Sequence, residues 1–172
     1  MSPLFTQWIA MRSKRLEFDL QDRRRLADRE DARVAEAVTT RRSAYARLNT
    51  AARQYAQELR AYLRLIPPSA VTDERRSALA VARQAFRDLY SDAQMILPDK
   101  ILAAAVLVND GLGQVYGTIR RVEEGGDDAP DRDARIKTAQ DYCRGDLYDL
   151  IGAMRQAMRE DLGVSDELSG PA

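Results

Sequence analysis

The chain has 172 residues, of which 45% are hydrophobic and 31% are charged, so it can bury one core of ordinary size but is too short for two typical domains. Its 27 basic and 27 acidic residues balance, which excludes the net positive charge typical of nucleic-acid-binding proteins. Cys143 is the only cysteine and histidine is absent, so internal disulfides, histidine-ligated metals and histidine-based catalytic triads are excluded. We expect no metal and no cofactor.

Residues 1–41 predict a charged helical arm. Opposite charges at helical spacing, such as Arg15 with Asp19 and Arg24 with Asp28, favour an exposed helix. The apolar residues also recur at helical spacing but are too sparse for a globular core. They are Leu16, Leu20, Ala27, Val34 and Val38.

Residues 42–164 predict an antiparallel four-helix bundle, so the expected fold class is all-α with a long N-terminal helical extension. Four segments keep the three-four apolar spacing that places a stripe along one helix face, and short connections join them. The stripes are Tyr45, Leu48, Ala52, Tyr55, Leu59, Tyr62 and Ile66; Leu79, Ala82, Phe86, Leu89, Ala93 and Ile96; Ile101, Ala105, Val108, Leu112, Val115, Ile119 and Val122; and Ile136, Cys143, Leu147, Leu150, Met154 and Ala157 or Met158.

The predicted helix boundaries rest on proline, glycine and capping residues. Pro67 and Pro68 end the first bundle helix, Thr72 caps the second, and Pro98 marks a reversal before the third. Gly125 and Gly126 end the third helix, Asp131 is expected to cap the fourth, and Gly163 follows its end. Residues 165–172 are expected to form a flexible tail.

Three segments resemble a group of uncharacterised bacterial, mainly actinobacterial, helical proteins. They are RRSAYARLNTAARQYAQELRAYL, MILPDKILAAAVLVNDGL and AMREDLGV, and the resemblance covers most of residues 41–164. Members of that group place a charged helix, often preceded by a membrane-spanning segment, before a four-helix bundle. The resemblance therefore implies this fold and no particular activity.

The arm carries the candidate interaction residues. Phe5, Trp8 and Ile9 lie beside basic residues, a mixture typical of an interfacial anchor or of a helix end buried in a dimer. The run of Arg23, Arg24 and Arg25 can contact phosphates, although interleaved acidic residues weaken its field. The apolar residues Leu16, Leu20, Val34 and Val38 can pack against a partner helix.

Three other features have a structural and a functional interpretation. Gly111, Gly113 and Gly117 in the third helix indicate either close approach of a bulky neighbour, such as a tyrosine, or a kink or groove that receives a ligand. Cys143 lies on the fourth stripe, which favours an inert buried thiol. The stripe tyrosines are expected to be core residues with hydroxyls at the edge.

No pair of residues is marked by its spacing as catalytic, so we predict that the protein is not an enzyme. The predicted function is a helical interaction or scaffold module that self-associates, or docks a protein partner, through its arm. The alternative is a membrane-peripheral or nucleic-acid-associated regulator that acts through the basic arm. No stretch approaches 18 consecutive apolar residues, so the expected location is the cytoplasm, with the membrane surface as the alternative.

Overall fold

A computed structural model describes the backbone of residues 3–65, 71–125 and 129–164, and the side chains of residues 21–65, 71–125 and 130–164. Within these residues the chain forms five helices: α1 Pro3–Leu63, α2 Asp73–Gln94, α3 Asp99–Glu123, α4 Ala129–Arg144 and α5 Asp146–Asp161. The chain divides into two compact units, Met1–Thr40 and Arg41–Ala172. The predicted all-α class is confirmed, and the predicted tail lies outside the described residues.

The second unit is a helical bundle whose core follows the predicted stripes. Leu59 of α1, Ile101 and Leu112 of α3, and Leu147 and Met154 of α5 are all completely buried. Burying one such side chain contributes about 1.5–3 kcal/mol. The apolar stripes therefore supply the main free energy that holds the bundle together.

Polar contacts at the helix ends establish the topology. Tyr45 in α1 donates a hydrogen bond of 2.6 Å to Asp161 at the end of α5, so α1 and α5 run antiparallel. Near the other end of α1, Glu58 forms an ion pair of 3.1 Å with Arg75 at the start of α2, so these helices are antiparallel too. Tyr62, at the end of α1, donates to Glu123 at the end of α3.

The predicted reversal at Pro98 is confirmed. The chain leaves α2 after Gln94 and re-enters a helix at Asp99. Pro98 has extended backbone geometry, with φ −59° and ψ 150°, and its carbonyl accepts hydrogen bonds of 2.9 Å from the N–H groups of Ile101 and Leu102. The predicted cap at Thr72 is also confirmed, since its hydroxyl accepts a hydrogen bond of 3.3 Å from the Arg75 N–H.

The end of the second stripe was predicted wrongly. Ile96 is 42% exposed, whereas the next residue, Leu97, is buried. Because α2 ends at Gln94, the chain beyond it no longer follows helical periodicity, and Leu97 turns inward instead. Ile66, the last residue of the first stripe, lies outside the described residues.

The fourth predicted helix is two helices, α4 and α5, separated by Gly145. This glycine has φ −102° and ψ −97°, outside the helical region. Its N–H donates to the Asp141 carbonyl at 3.0 Å and its carbonyl accepts from the Asp149 N–H at 3.1 Å, so helical bonding resumes at once. The helices α4 and α5 therefore occupy the place of the predicted fourth helix, with a local break at Gly145.

The predicted cap at Asp131 was also wrong. The helix α4 begins at Ala129, which places Asp131 inside the first turn. Pro130 explains the earlier start, because proline lacks an N–H and its fixed φ suits the first turn of a helix. The carboxylate of Asp131 still lies near the positive end of the helix dipole.

Glycines end two helices as predicted. Gly125 follows α3 with φ +73° and Gly163 follows α5 with φ +67°. Both angles lie in the left-handed region, which glycine adopts without the steric cost that a Cβ would bring.

The three glycines of α3 have different environments. A Cβ at Gly111 would lie 2.8 Å from the Tyr142 hydroxyl and 3.1 Å from Cδ1 of Leu147, so the predicted close approach of a tyrosine is confirmed there. At Gly113 and Gly117 a Cβ would meet no described atom within 4 Å. Close packing therefore explains Gly111 only.

This difference predicts different responses of Gly113 and Gly111 to substitution by alanine. Gly113→Ala should raise the free energy of unfolding by up to about 1 kcal/mol, because glycine costs that much in an exposed helix interior. Gly111→Ala should stabilise less, or destabilise, because the fully buried Leu147 must shift. Urea denaturation of both variants measures the difference, and equal stabilisation would contradict the packing assigned to Gly111.

Candidate functional site

Five described residues of the arm recur at three-four spacing, and we call them the arm seam: Arg24, Ala27, Asp31, Val34 and Val38. Every described side chain of residues 21–40 is exposed. Val34 is 55% exposed and Val38 is 49% exposed, and Leu26, on another face, is 63% exposed. The first unit therefore has no core among its described side chains.

The other predicted interaction residues are placed only in part. Arg23, Arg24 and Arg25 are all exposed, and Arg25 lies 4.0 Å from the carboxylate of Asp22. This contact is too exposed to contribute much to stability. The side chains of Phe5, Trp8, Ile9, Leu16 and Leu20 lie outside the described residues.

A second candidate site is a groove of about 230 Å³ in the bundle, between α1 on one side and α4 and α5 on the other. Three arginines line it, Arg53 and Arg60 from α1 and Arg155 from α5. We call it the arginine groove. Its remaining lining consists of Asn49, Ala56, Gln57, Cys143, Leu147, Tyr148, Ile151 and Gly152.

Helical spacing explains how the two walls of the arginine groove form. Asn49, Arg53 and Arg60 recur at intervals of four and seven residues, which places them along one side of α1. The same spacing places Tyr148 and Arg155 on the facing side of α5. Buried stripe residues lie between the two walls. The groove therefore has polar walls and an apolar floor.

The register of the helices determines which groups face each other. Tyr45 bonds to Asp161, and Gln140 donates a hydrogen bond of 3.0 Å to the Leu63 carbonyl, so α1 runs antiparallel to α4 and α5. Arg155 therefore lies level with the turn that holds Asn49 and Arg53. Arg60 lies near Cys143.

Cys143 forms part of the groove floor and is buried as predicted, with 2% exposure. Burial raises the pKa of its thiol to about 11, although the nearby charge of Arg60 acts in the opposite direction. The thiolate is the nucleophilic form of cysteine. At neutral pH Cys143 is therefore a protonated, apolar wall residue.

The stripe tyrosines are core residues, as predicted. Tyr45, Tyr55 and Tyr62 are at most 3% exposed. Burial is the main cause that raises the pKa of each, to about 12 for Tyr55 and Tyr62, and the hydrogen bond to Glu123 adds to the effect at Tyr62. Their rings pack in the core and offer no stacking surface for nucleic-acid bases.

Sequence reasoning missed the arginine groove because its walls come from helices far apart in the chain. Nothing in the sequence indicates that Arg53 and Arg155 lie close together, because their proximity depends on how α1 packs against α5. One local signal was present in α1, where Asn49, Arg53, Gln57 and Arg60 share a face beside the buried stripe. That pattern alone is also typical of an ordinary solvated face.

The described residues contain neither a membrane-spanning helix nor a cluster of side chains suited to a metal ion. No helix there is long and apolar enough to cross a membrane. Likewise, the described cysteine and acidic side chains include no group of three or more that could hold a metal ion.

No family model, curated protein or solved structure matches this chain. The resemblance to the actinobacterial group therefore stays a prediction.

Proposed function

We propose that this protein is a non-catalytic helical interaction module whose arm pairs with the arm of a second copy. The observation that carries the proposal is the arm seam, where Val34 and Val38 are about half exposed within residues 21–40, whose described side chains are all exposed. A single helix gains little from exposed ion pairs, each contributing about 0.2–0.5 kcal/mol. A partner helix supplies the apolar contact that the arm lacks.

The charges on the seam favour an antiparallel pair of arms. Arg24 and Asp31 occupy seam positions seven residues apart. In a parallel pair of arms in register, Arg24 would face Arg24 of the second copy and Asp31 would face Asp31. Like charges would then meet at the interface. An antiparallel pair centred near Ala27 removes both self-contacts and places Arg24 opposite the partner's Asp31.

The seam charges also account for the affinity we expect. Two charged residues among three apolar ones leave a thin hydrophobic surface, so the pairing should be modest rather than obligate. A reversible pair of this kind suits a scaffold that assembles as its local concentration rises.

Two glutamates on the seam provide the test. Val34→Glu with Val38→Glu should abolish association, because four carboxylates would enter the interface. Ala32→Glu with Thr40→Glu adds the same charge on the opposite, exposed side of the helix and should leave association unchanged. Sedimentation velocity at high micromolar concentration measures both variants beside the unmodified chain.

Equal association of all three chains would contradict pairing through the seam. Binding of the unmodified chain to DNA or to anionic vesicles, lost as salt rises, would favour the regulator that acts through the basic arm.

A further inference from the structure

We propose that the arginine groove binds a small amphiphilic anion, a carboxylate or phosphate group attached to a short apolar body. This site is separate from the arm and does not depend on the proposed pairing. The cationic walls indicate the anionic group of the ligand, and the apolar floor indicates its apolar body.

The walls select negative charge. Arg53, Arg60 and Arg155 converge on one groove, and none has an ion-pair partner among the described residues. By contrast, Arg41, Arg75 and Arg120, elsewhere in the bundle, pair with carboxylates at 2.8–3.3 Å. No carboxylate is among the described groove residues, although Asp146 and Asp149 are close in sequence. A guanidinium binds a carboxylate or phosphate through two parallel hydrogen bonds.

An orphaned polar atom adds a second feature. The Oδ1 atom of Asn49 is buried and has no hydrogen-bond partner among the described atoms. Leaving such an acceptor unpaired destabilises the folded chain, so a donor is expected to reach it. If the side-chain amide of Asn49 is turned over, its nitrogen takes the place of Oδ1. The side chain then presents an N–H donor to an anion beside Arg53.

The floor selects an apolar body of limited size. Ala56, Leu147 and Ile151 form it together with the protonated thiol of Cys143. The groove volume of about 230 Å³ lies below the range of about 300–1,000 Å³ of drug-sized sites. A short alkyl chain is the apolar body that fits this space.

Amide NMR on the full chain tests the assignment with hexanoate and hexyl phosphate as probes. Hexanol and inorganic phosphate are the controls, since each lacks one half of the proposed ligand. We expect saturable shifts of the Asn49, Cys143 and Gly152 amides with both amphiphilic anions. Each control should bind at least about tenfold more weakly, as expected when one charge-assisted contact or one apolar surface is lost.

Matched substitutions locate the binding. Arg53→Gln with Arg155→Gln should weaken hexanoate binding at least about tenfold, whereas Arg47→Gln, an exposed arginine of α1 outside the groove, should change it less than about twofold. Thermal unfolding of each variant confirms that the fold is retained. No saturable shift with either anion, an equal loss in the Arg47→Gln variant, or inorganic phosphate binding as tightly as hexyl phosphate would overturn the proposal.

Discussion

Leu112→Ala is expected to lower the free energy of unfolding by about 2–5 kcal/mol, as truncation of a fully buried leucine does. Leu112 is completely buried in α3, where neighbouring stripes meet. The alanine loses the transfer free energy of the leucine side chain and leaves a cavity that rigid helices fill only in part. Leu59→Ala in α1 should cost a similar amount because Leu59 is equally buried.

Leu107→Ala is the matched control on the same helix. Leu107 is 55% exposed, so its truncation should change stability by no more than about 0.5 kcal/mol. Urea denaturation of the three variants measures the comparison. If Leu107→Ala cost as much as Leu112→Ala, the face of α3 assigned to the core would be wrong.

Alkaline pH is expected to destabilise the bundle steeply between about pH 9 and pH 12. The pKa of Cys143 is raised to about 11, and those of Tyr55 and Tyr62 to about 12, chiefly because burial disfavours the charged forms. Below about pH 8 both the folded and the unfolded chain keep these protons, so stability is unaffected. At higher pH the unfolded chain loses them first, and stability falls until the folded-state pKa values are passed.

The expected loss amounts to several kcal/mol, because a separation of one unit between folded and unfolded pKa values corresponds to about 1.4 kcal/mol for each group. Urea denaturation from pH 8 to pH 12 measures it. Tyr55→Phe should make the fall shallower, whereas Tyr148→Phe should not, since Tyr148 is 64% exposed. Identical curves for the two variants would contradict the role assigned to buried phenols.

The core was predictable because its signal is local. A residue such as Leu59 or Leu112 shows its buried face through its neighbours three and four positions away. The boundaries at Pro98 and Gly125 were predictable for the same reason. Proline restricts its backbone angles and glycine permits unusual ones, whatever surrounds them.

The errors occurred where tertiary packing decides between local alternatives. Gly145 costs only about 1 kcal/mol in a regular helix, so sequence gives little reason to expect a break there. Ile96 kept the stripe spacing, but the helix ended before it. The arginine groove needed the register of α1 against α5, which follows from contacts such as that between Tyr45 and Asp161.

The arm was predictable as a charged helix but not as an interface. Its composition shows that it lacks enough apolar residues for a core of its own, and the structure places Val34 and Val38 in solvent. In the proposed pairing, the surface that covers them belongs to a second molecule, which the sequence of one chain does not specify.

The mass of the unmodified chain in solution, measured by light scattering from low to high micromolar concentration, tests the proposed pairing most directly. We expect the mass to rise smoothly from one chain toward two, because the thin arm seam gives a modest affinity. The chain carrying Val34→Glu and Val38→Glu should keep the single-chain mass throughout. An unmodified chain that stays single at every concentration, or a dimer that survives those two substitutions, would contradict the account.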